Sequence, residues 1–223
     1  MSRRIVALKY GESMINEKYI FEGGCPQVML PISFMFYLIQ DGARNILIDV
    51  GCNDGGGLVM SCFCKPVEVL KNYGILPEQI TDIVITHHHH DHIEAIEAYT
   101  NAVIHIQKDE YILGKKYISD AFQVKIFESM VTLEDGIEVK KIGGHSEGSC
   151  IVTCQCNDRE YIFCGDECYV KDCFVRQIPT GASCNSEISR QFIREYAMER
   201  YEPLLFHDPE ILKGKTGYMI IMG

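Results

Sequence analysis

Thr86-His87-His88-His89-His90-Asp91-His92 constrains this chain more than any other stretch. It carries His-x-His-x-Asp-His, so four side chains of metal-ligand type fall within six residues. Imidazoles and carboxylates packed that closely either hold a cation or face solvent, because burying them unpaired costs too much. The preceding residues, Ile80-Thr81-Asp82-Ile83-Val84-Ile85-Thr86, follow an apolar, β-branched strand pattern. A rigid strand that runs into a ligand-rich loop presents metal ligands well. The histidine run is internal, which sets it apart from a purification tag.

The length of 223 residues fits a single domain spanning 1–223. With 47% hydrophobic and 23% charged residues, the composition is that of a soluble globular protein. The net charge of −10 comes without any Lys/Arg cluster, which argues against nucleic-acid partners. No apolar run reads as a signal peptide or a membrane span, so the expected location is the cytoplasm. The 11 cysteines are then expected as reduced thiols. Cys62/Cys64, Cys154/Cys156 and Cys164/Cys168 are possible zinc pairs by proximity. Paired doublet spacing is missing, and Cys154, Cys156 and Cys164 sit in strand patterns, so they are read as small core hydrophobes.

Strands are expected at Arg4–Lys9, Phe34–Gln40, Ile46–Val50, Ile80–Thr86, Val103–Ile106, Val124–Phe127, Val131–Leu133 and Ile137–Ile142. Four more follow at Cys150–Cys156, Glu160–Cys164, Leu204–Phe206 and Tyr218–Ile221. Turns are read at Asp41-Gly42, Glu134-Asp135-Gly136 and Asn157-Asp158. Helices are expected at Pro66–Tyr73, Ile93–Tyr99, Lys108–Leu113 and Ser186–Arg200, the last with Ile188, Phe192, Ile193 and Tyr196 on one face. Two blocks of strands, each with helices, imply a layered α/β (α+β) protein with the sheets inside. Met29, Leu30, Phe34 and Met35 are read as core, with a substrate groove or a homodimer face as alternatives.

Three later loops each offer a ligand just after a strand: His145 in Gly143-Gly144-His145, Asp166 in Cys164-Gly165-Asp166, and His207 in Leu205-Phe206-His207. Each alone is weak. With the opening motif, all at strand ends, they form one pattern. In order, these segments resemble the metal-binding motifs of metallo-β-lactamase-fold hydrolases, from about Phe34 to His207. Leu47-Ile48-Asp49-Val50-Gly51 is similar to that superfamily's Leu-Ile-Asp-Thr-Gly strand end. The resemblance implies a four-layer αβ/βα sandwich with the site at one edge of the sheets. It implies one metal on His87, His89 and His145, a second on Asp91, His92 and His207, and Asp166 bridging both. Asp49 would steady the ligand loop.

Such a donor set suits two divalent ions, zinc first, with Fe2+ or Mn2+ as alternatives. Two metals roughly 3.5–4 Å apart leave room for a bridging hydroxide that attacks a carbonyl or phosphorus. Asp91 would orient the nucleophile and pass a proton to the leaving group. Tyr169, three residues after Asp166, resembles the tyrosine that acyl-homoserine lactonases carry at that spacing. It would hydrogen-bond the lactone carbonyl. The implied function is a dinuclear zinc lactonase acting on a small neutral lactone or ester. A thioester or phosphodiester hydrolase is the alternative, followed by a diiron redox protein and a non-catalytic metal sensor. The diiron members typically have Glu where His89 stands.

Two departures alter the edge of the expected pocket. The family's Asp-His-x-Gly-Gly is Asp91-His92-Ile93-Glu94-Ala95 here, and Gly-His-Thr-x-Gly-His ends in Ser149. His88 and His90 fill spacer positions. His90 is read as a solvated loop side chain, with a pocket-facing position as the alternative, and His105 as structural. Glu94 and Glu147 are expected to make the mouth acidic, which disfavours polyanionic substrates.

Overall fold

The computed structural model describes residues 3–134, 136–156 and 158–223. Asp135 and Asn157, within two of the expected turns, lie outside the described residues. A seven-stranded sheet runs in the order β12-β1-β2-β3-β4-β5-β6, from β1 (Arg4–Asn16), β2 (Met29–Asp41), β3 (Arg44–Ile48), β4 (Asp82–Ile85), β5 (Val103–Gln107), β6 (Gln123–Phe127) and β12 (Gly217–Met222). A five-stranded sheet runs in the order β11-β10-β9-β8-β7, from β7 (Met130–Glu134), β8 (Ile137–Lys141), β9 (Cys150–Cys156), β10 (Arg159–Phe163) and β11 (Tyr201–Leu204). Pairing is parallel from β3 to β6 and between β10 and β11, and antiparallel elsewhere.

Apolar residues on both faces of the strands explain why the sheets stack between helices. Ile5, Ala7, Ile39, Ile48 and Val84 meet Val139, Val152, Cys154 and Phe163 in one buried cluster between the sheets. Their neighbours Val6, Leu8, Leu38, Leu47 and Ile83 point the other way, into a cluster shared with helical residues. Strands buried on both sides read as continuous apolar runs because each face covers a different layer. Fully burying one such side chain contributes about 1.5–3 kcal/mol. Tyr37 links the sheets: its hydroxyl donates to Leu205 O at 2.6 Å, and its ring meets Phe206 edge-on at 5.0 Å. Cys154, Cys156 and Cys164 are buried in these clusters, as expected for small hydrophobes. Phe34 and Met35 are core, whereas Met29 is exposed.

The helices are short: α1 (Glu17–Ile20), α2 (Pro66–Tyr73), α3 (His90–Ile93), α4 (Lys108–Gly114), α5 (Lys171–Arg176) and α6 (Ser186–Tyr196). In α2, Pro66 opens the first turn and Gly74, at φ 102°, closes the last. Asn185 caps α6 by accepting from Ile188 N. α6 stops at Tyr196, short of the expected Arg200, because Arg200 O accepts from Glu160 N and leads the chain into β11. The expected helix at Ile93–Tyr99 is instead α3 followed by a 3-10 turn over Glu94–Ala98. The expected strand at Leu204–Phe206 is shifted: β11 ends at Leu204, and Phe206 O and His207 O then accept from Met35 N and Ser33 N of β2. The last strand of one sheet thus hands the chain to the other sheet at His207. No helix among the described residues is long and apolar enough to cross a membrane.

Candidate metal centre

All seven ligand-type residues converge at one end of the sandwich. β4 ends at Ile85 and delivers Thr86 and His87, and α3 carries His90 to Ile93. His145 comes from the turn between β8 and β9, Asp166 from the end of β10, and His207 from the exit of β11. Ligand atoms of His87, His89, His145 and Asp166 lie within 4.8 Å of one another, and so do those of Asp91, His92 and His207.

Asp166 sits between the two groups. Its Oδ2 is 3.6 Å from His87 Nε2 and 3.4 Å from His145 Nε2, while Oδ1 is 3.1 Å from both His92 Nε2 and His207 Nε2. Asp91 Oδ2 is 3.6 Å from Nε2 of both His92 and His207. His87, His92, His145, Asp166 and His207 are buried, whereas His89 and Asp91 reach the cavity side.

The residues fit a pair of cations. Buried His87 Nε2, His92 Nε2 and Asp166 Oδ1 have no hydrogen-bond partner among the described residues, an arrangement that is costly unless the atoms coordinate something. Burial pushes His87, His89 and His145 below the ordinary imidazole range, His145 to about 4, which keeps them neutral as ligation requires. Burial also opposes charge on His92 and His207, but Asp166 and Asp91 outweigh it and draw both upward. The carboxylates that favour a proton there would favour a metal cation equally.

Supporting contacts fix the ligand rings. Asp49, at φ 60° just after β3, accepts from Thr86 N and Thr86 Oγ1 at 2.7 Å each and pairs with His92 Nδ1 at 2.7 Å. His207 Nδ1 is 2.8 Å from Ser33 O. Tyr10 donates to Asp91 O at 2.8 Å. Two buried glutamates are absent from the sequence reading. Glu110 Oε2 accepts from His88 N at 2.8 Å, and its Oε1 from Ser146 Oγ at 2.7 Å and Gly148 N at 2.8 Å. Glu167 receives the backbone of Gly144 and His145. Within the expected helix Lys108–Leu113, an acidic residue near the first turn gave no signal that Glu110 would be buried. A second carboxylate beside Asp166 was the available signal for Glu167.

A cavity of about 340 Å³ opens onto the cluster. Ile15, Tyr19, Ile32, Phe34 and Leu58 form its apolar wall, and His89, His90, Asp91, Asp166, Tyr169 and His207 its polar end. The Tyr169 ring lies 4.7 Å from that of His207 and 6.1 Å from that of His145. Burial, with Asp166 and Asp91 nearby, keeps its phenol protonated well above the ordinary tyrosine range. His90 lines this cavity and stays partly exposed, its Nε2 2.7 Å from Oδ1 of the exposed Asp54, which also accepts from Gly56 N at 2.8 Å. His105 is structural, buried with Nε2 2.9 Å from Asp82 Oδ1. Glu94 accepts from Asn53 N, and Glu147 lines a second cavity of about 720 Å³ that reaches His89 and His145 from the other side.

Residues 35–185, more than half of the chain, match the Metallo-beta-lactamase superfamily. The chain belongs to that superfamily. Among curated members, N-acyl homoserine lactonase AiiA of Bacillus thuringiensis subsp. kurstaki is 22% identical over 240 residues, covering 96% of each chain. N-acyl homoserine lactonase AiiB of Agrobacterium fabrum is 21% identical over 274 residues, covering 98% of this chain and 99% of its own. A solved N-acyl homoserine lactone hydrolase, with the product N-hexanoyl-L-homoserine at its catalytic metal center, superimposes with a TM-score of 0.83 at 21% identity. That match covers 98% of this chain and all of the other. The superfamily's metallo-β-lactamase fold is therefore the fold found here.

Proposed function

We propose that this chain is a dinuclear metal hydrolase that opens a neutral lactone of the N-acyl homoserine lactone type. The observation that carries the reading is Tyr169, which shares a cavity wall with Asp91, Asp166 and His207. Its ring lies tilted at 50° against the His207 ring, with centroids 4.7 Å apart. The lactonase names of the curated relatives support the same substrate class.

His87, His89 and His145 would hold one ion, Asp91, His92 and His207 the other, with Asp166 shared between them. Five imidazoles and two carboxylates favour zinc, with Fe2+ or Mn2+ as alternatives. When bound, such a pair supplies an activated water and a Lewis-acidic contact for a carbonyl. Tyr169 donates its O–H to the lactone carbonyl oxygen, a bond that strengthens as negative charge develops there. Asp91 reaches the cavity and is placed to orient the attacking group and to return a proton to the leaving alkoxide. Ile32, Phe34 and Leu58 pack against the substrate and exclude water. Eleven cysteine thiols, all free, are compatible with a reducing compartment such as the cytoplasm.

The test is hydrolysis by zinc-reconstituted protein of an acyl-homoserine lactone, a glutathione thioester, a phosphodiester and a β-lactam, each with and without chelator. Chelator-sensitive lactone opening far above the other three is the expected result. Cleavage of another substrate with no lactone turnover would reject the lactonase reading.

A further inference from the structure

Ser149 stands where the superfamily motif ends in histidine. Its hydroxyl donates to Oε1 of Glu167, a carboxylate shut off from solvent. The same oxygen accepts from Gly144 N at 3.1 Å and His145 N at 3.2 Å, and Oε2 accepts from Ser189 Oγ at 3.3 Å. Four donors converge on one side chain, and two of them are the backbone of the segment that carries His145. The fit is tight: a side chain at Gly144 would collide with both Glu167 and Ser189. A buried carboxylate survives only when such donors replace its water. Glu167 lines neither cavity next to the cluster, so the loop, and not a substrate, is what it holds.

We propose that Glu167 is a positioning residue that fixes the His145 loop in ligating geometry, with Ser149 and Ser189 as its side-chain partners. This role presupposes the metal centre described above. Without the carboxylate, the N–H groups of Gly144 and His145 lose their acceptor, while Ser149 Oγ keeps Ser146 O at 2.9 Å and Ser189 Oγ keeps Ser183 Oγ at 2.8 Å, and the loop can relax away from Asp166. Outer contacts of this kind change metal affinity about 10–100-fold.

The experiment is equilibrium zinc titration, against a competing chromophoric chelator, of wild type, Glu167→Ala, Glu167→Gln, His145→Ala and the double variant Glu167→Ala/His145→Ala. Wild type is expected to take up two ions. Glu167→Ala should weaken one of them about 10–100-fold, and Glu167→Gln, which keeps an oxygen for three of the donors, should recover most of that loss. The double variant should bind no more weakly than His145→Ala alone, since both changes act on one ligand. Wild-type affinity in Glu167→Ala, or losses that add in the double variant, would overturn the role. Should Glu167→Ala not fold, Ser149→Ala carries the test: a smaller loss in the same site is expected, and unchanged affinity overturns the role. A wild-type protein that takes up fewer than two ions would defeat the metal-centre reading itself.

Discussion

Asp49 Oδ2 lies 2.7 Å from His92 Nδ1, and both side chains are buried. The carboxylate also receives both donors of Thr86, so it cannot turn away from the ring. The pairing sets the proton on Nδ1 and aims Nε2 at Asp166. Asp49→Asn replaces one acceptor with a donor that faces a donor. We expect zinc affinity to fall about 10–100-fold, with the far-UV circular dichroism retained. Unaltered affinity in a competition titration would show that Asp49 supports only the strand end.

Removal of metal should destabilise the fold. Bound ions relieve the unpaired atoms of His87, His92 and Asp166, and a ligand at 100 times its Kd adds about 2.7 kcal/mol. In a chain of this size that corresponds to a rise in Tm of about 5–10 °C. Differential scanning calorimetry before and after chelation, then after zinc is restored, measures it. A Tm indifferent to chelator would contradict a structurally coupled centre.

Tyr169→Phe keeps the ring against His207 and removes the O–H. Loss of a donor to a developing oxyanion lowers kcat about 10²–10³-fold. Metal content should stay at the wild-type value, measured by plasma mass spectrometry on the same sample. Equal kcat in the two proteins would take the hydroxyl out of the reaction.

Acid stability should depend on Asp82. Burial resists its ionisation, but hydrogen bonds from His105 and Arg44 outweigh that and hold the carboxyl well below the usual range. A depressed folded pKa stabilises the protein above the unfolded value of about 3.9 and loses that contribution as pH falls below it. Wild type and Asp82→Asn should therefore differ most in urea unfolding near neutral pH, and the gap should begin to narrow as pH falls below about 4, closing only through the depressed folded pKa. A constant gap across that range would assign the difference to packing.

Much of this centre was legible because its ligands stand just after β strands, where local pattern and chemistry coincide. His-x-His-x-Asp-His names four donors directly, and His145, Asp166 and His207 each follow an apolar run. The ends of elements were less legible. α6 stops at Tyr196, after which a turn from Met198 O to Tyr201 N and the long-range pairing of Arg200 O with Glu160 N lead the chain into β11. The pairing of His90 with Asp54, 36 residues away, and its place on the cavity wall are likewise not written in its own segment.

By itself the sequence determined the donor types, the two apolar faces of each strand and the chemistry open to the chain, since these depend on residue identity and short-range period. Only the tertiary structure decided that Asp166 would lie between both groups of histidines and that Glu110 and Glu167 would be buried against the ligand loops. Those are relations of distance between segments far apart in sequence. They are set by the stacking of the two sheets and the crossing of the chain at Phe206 and His207, which no local pattern encodes.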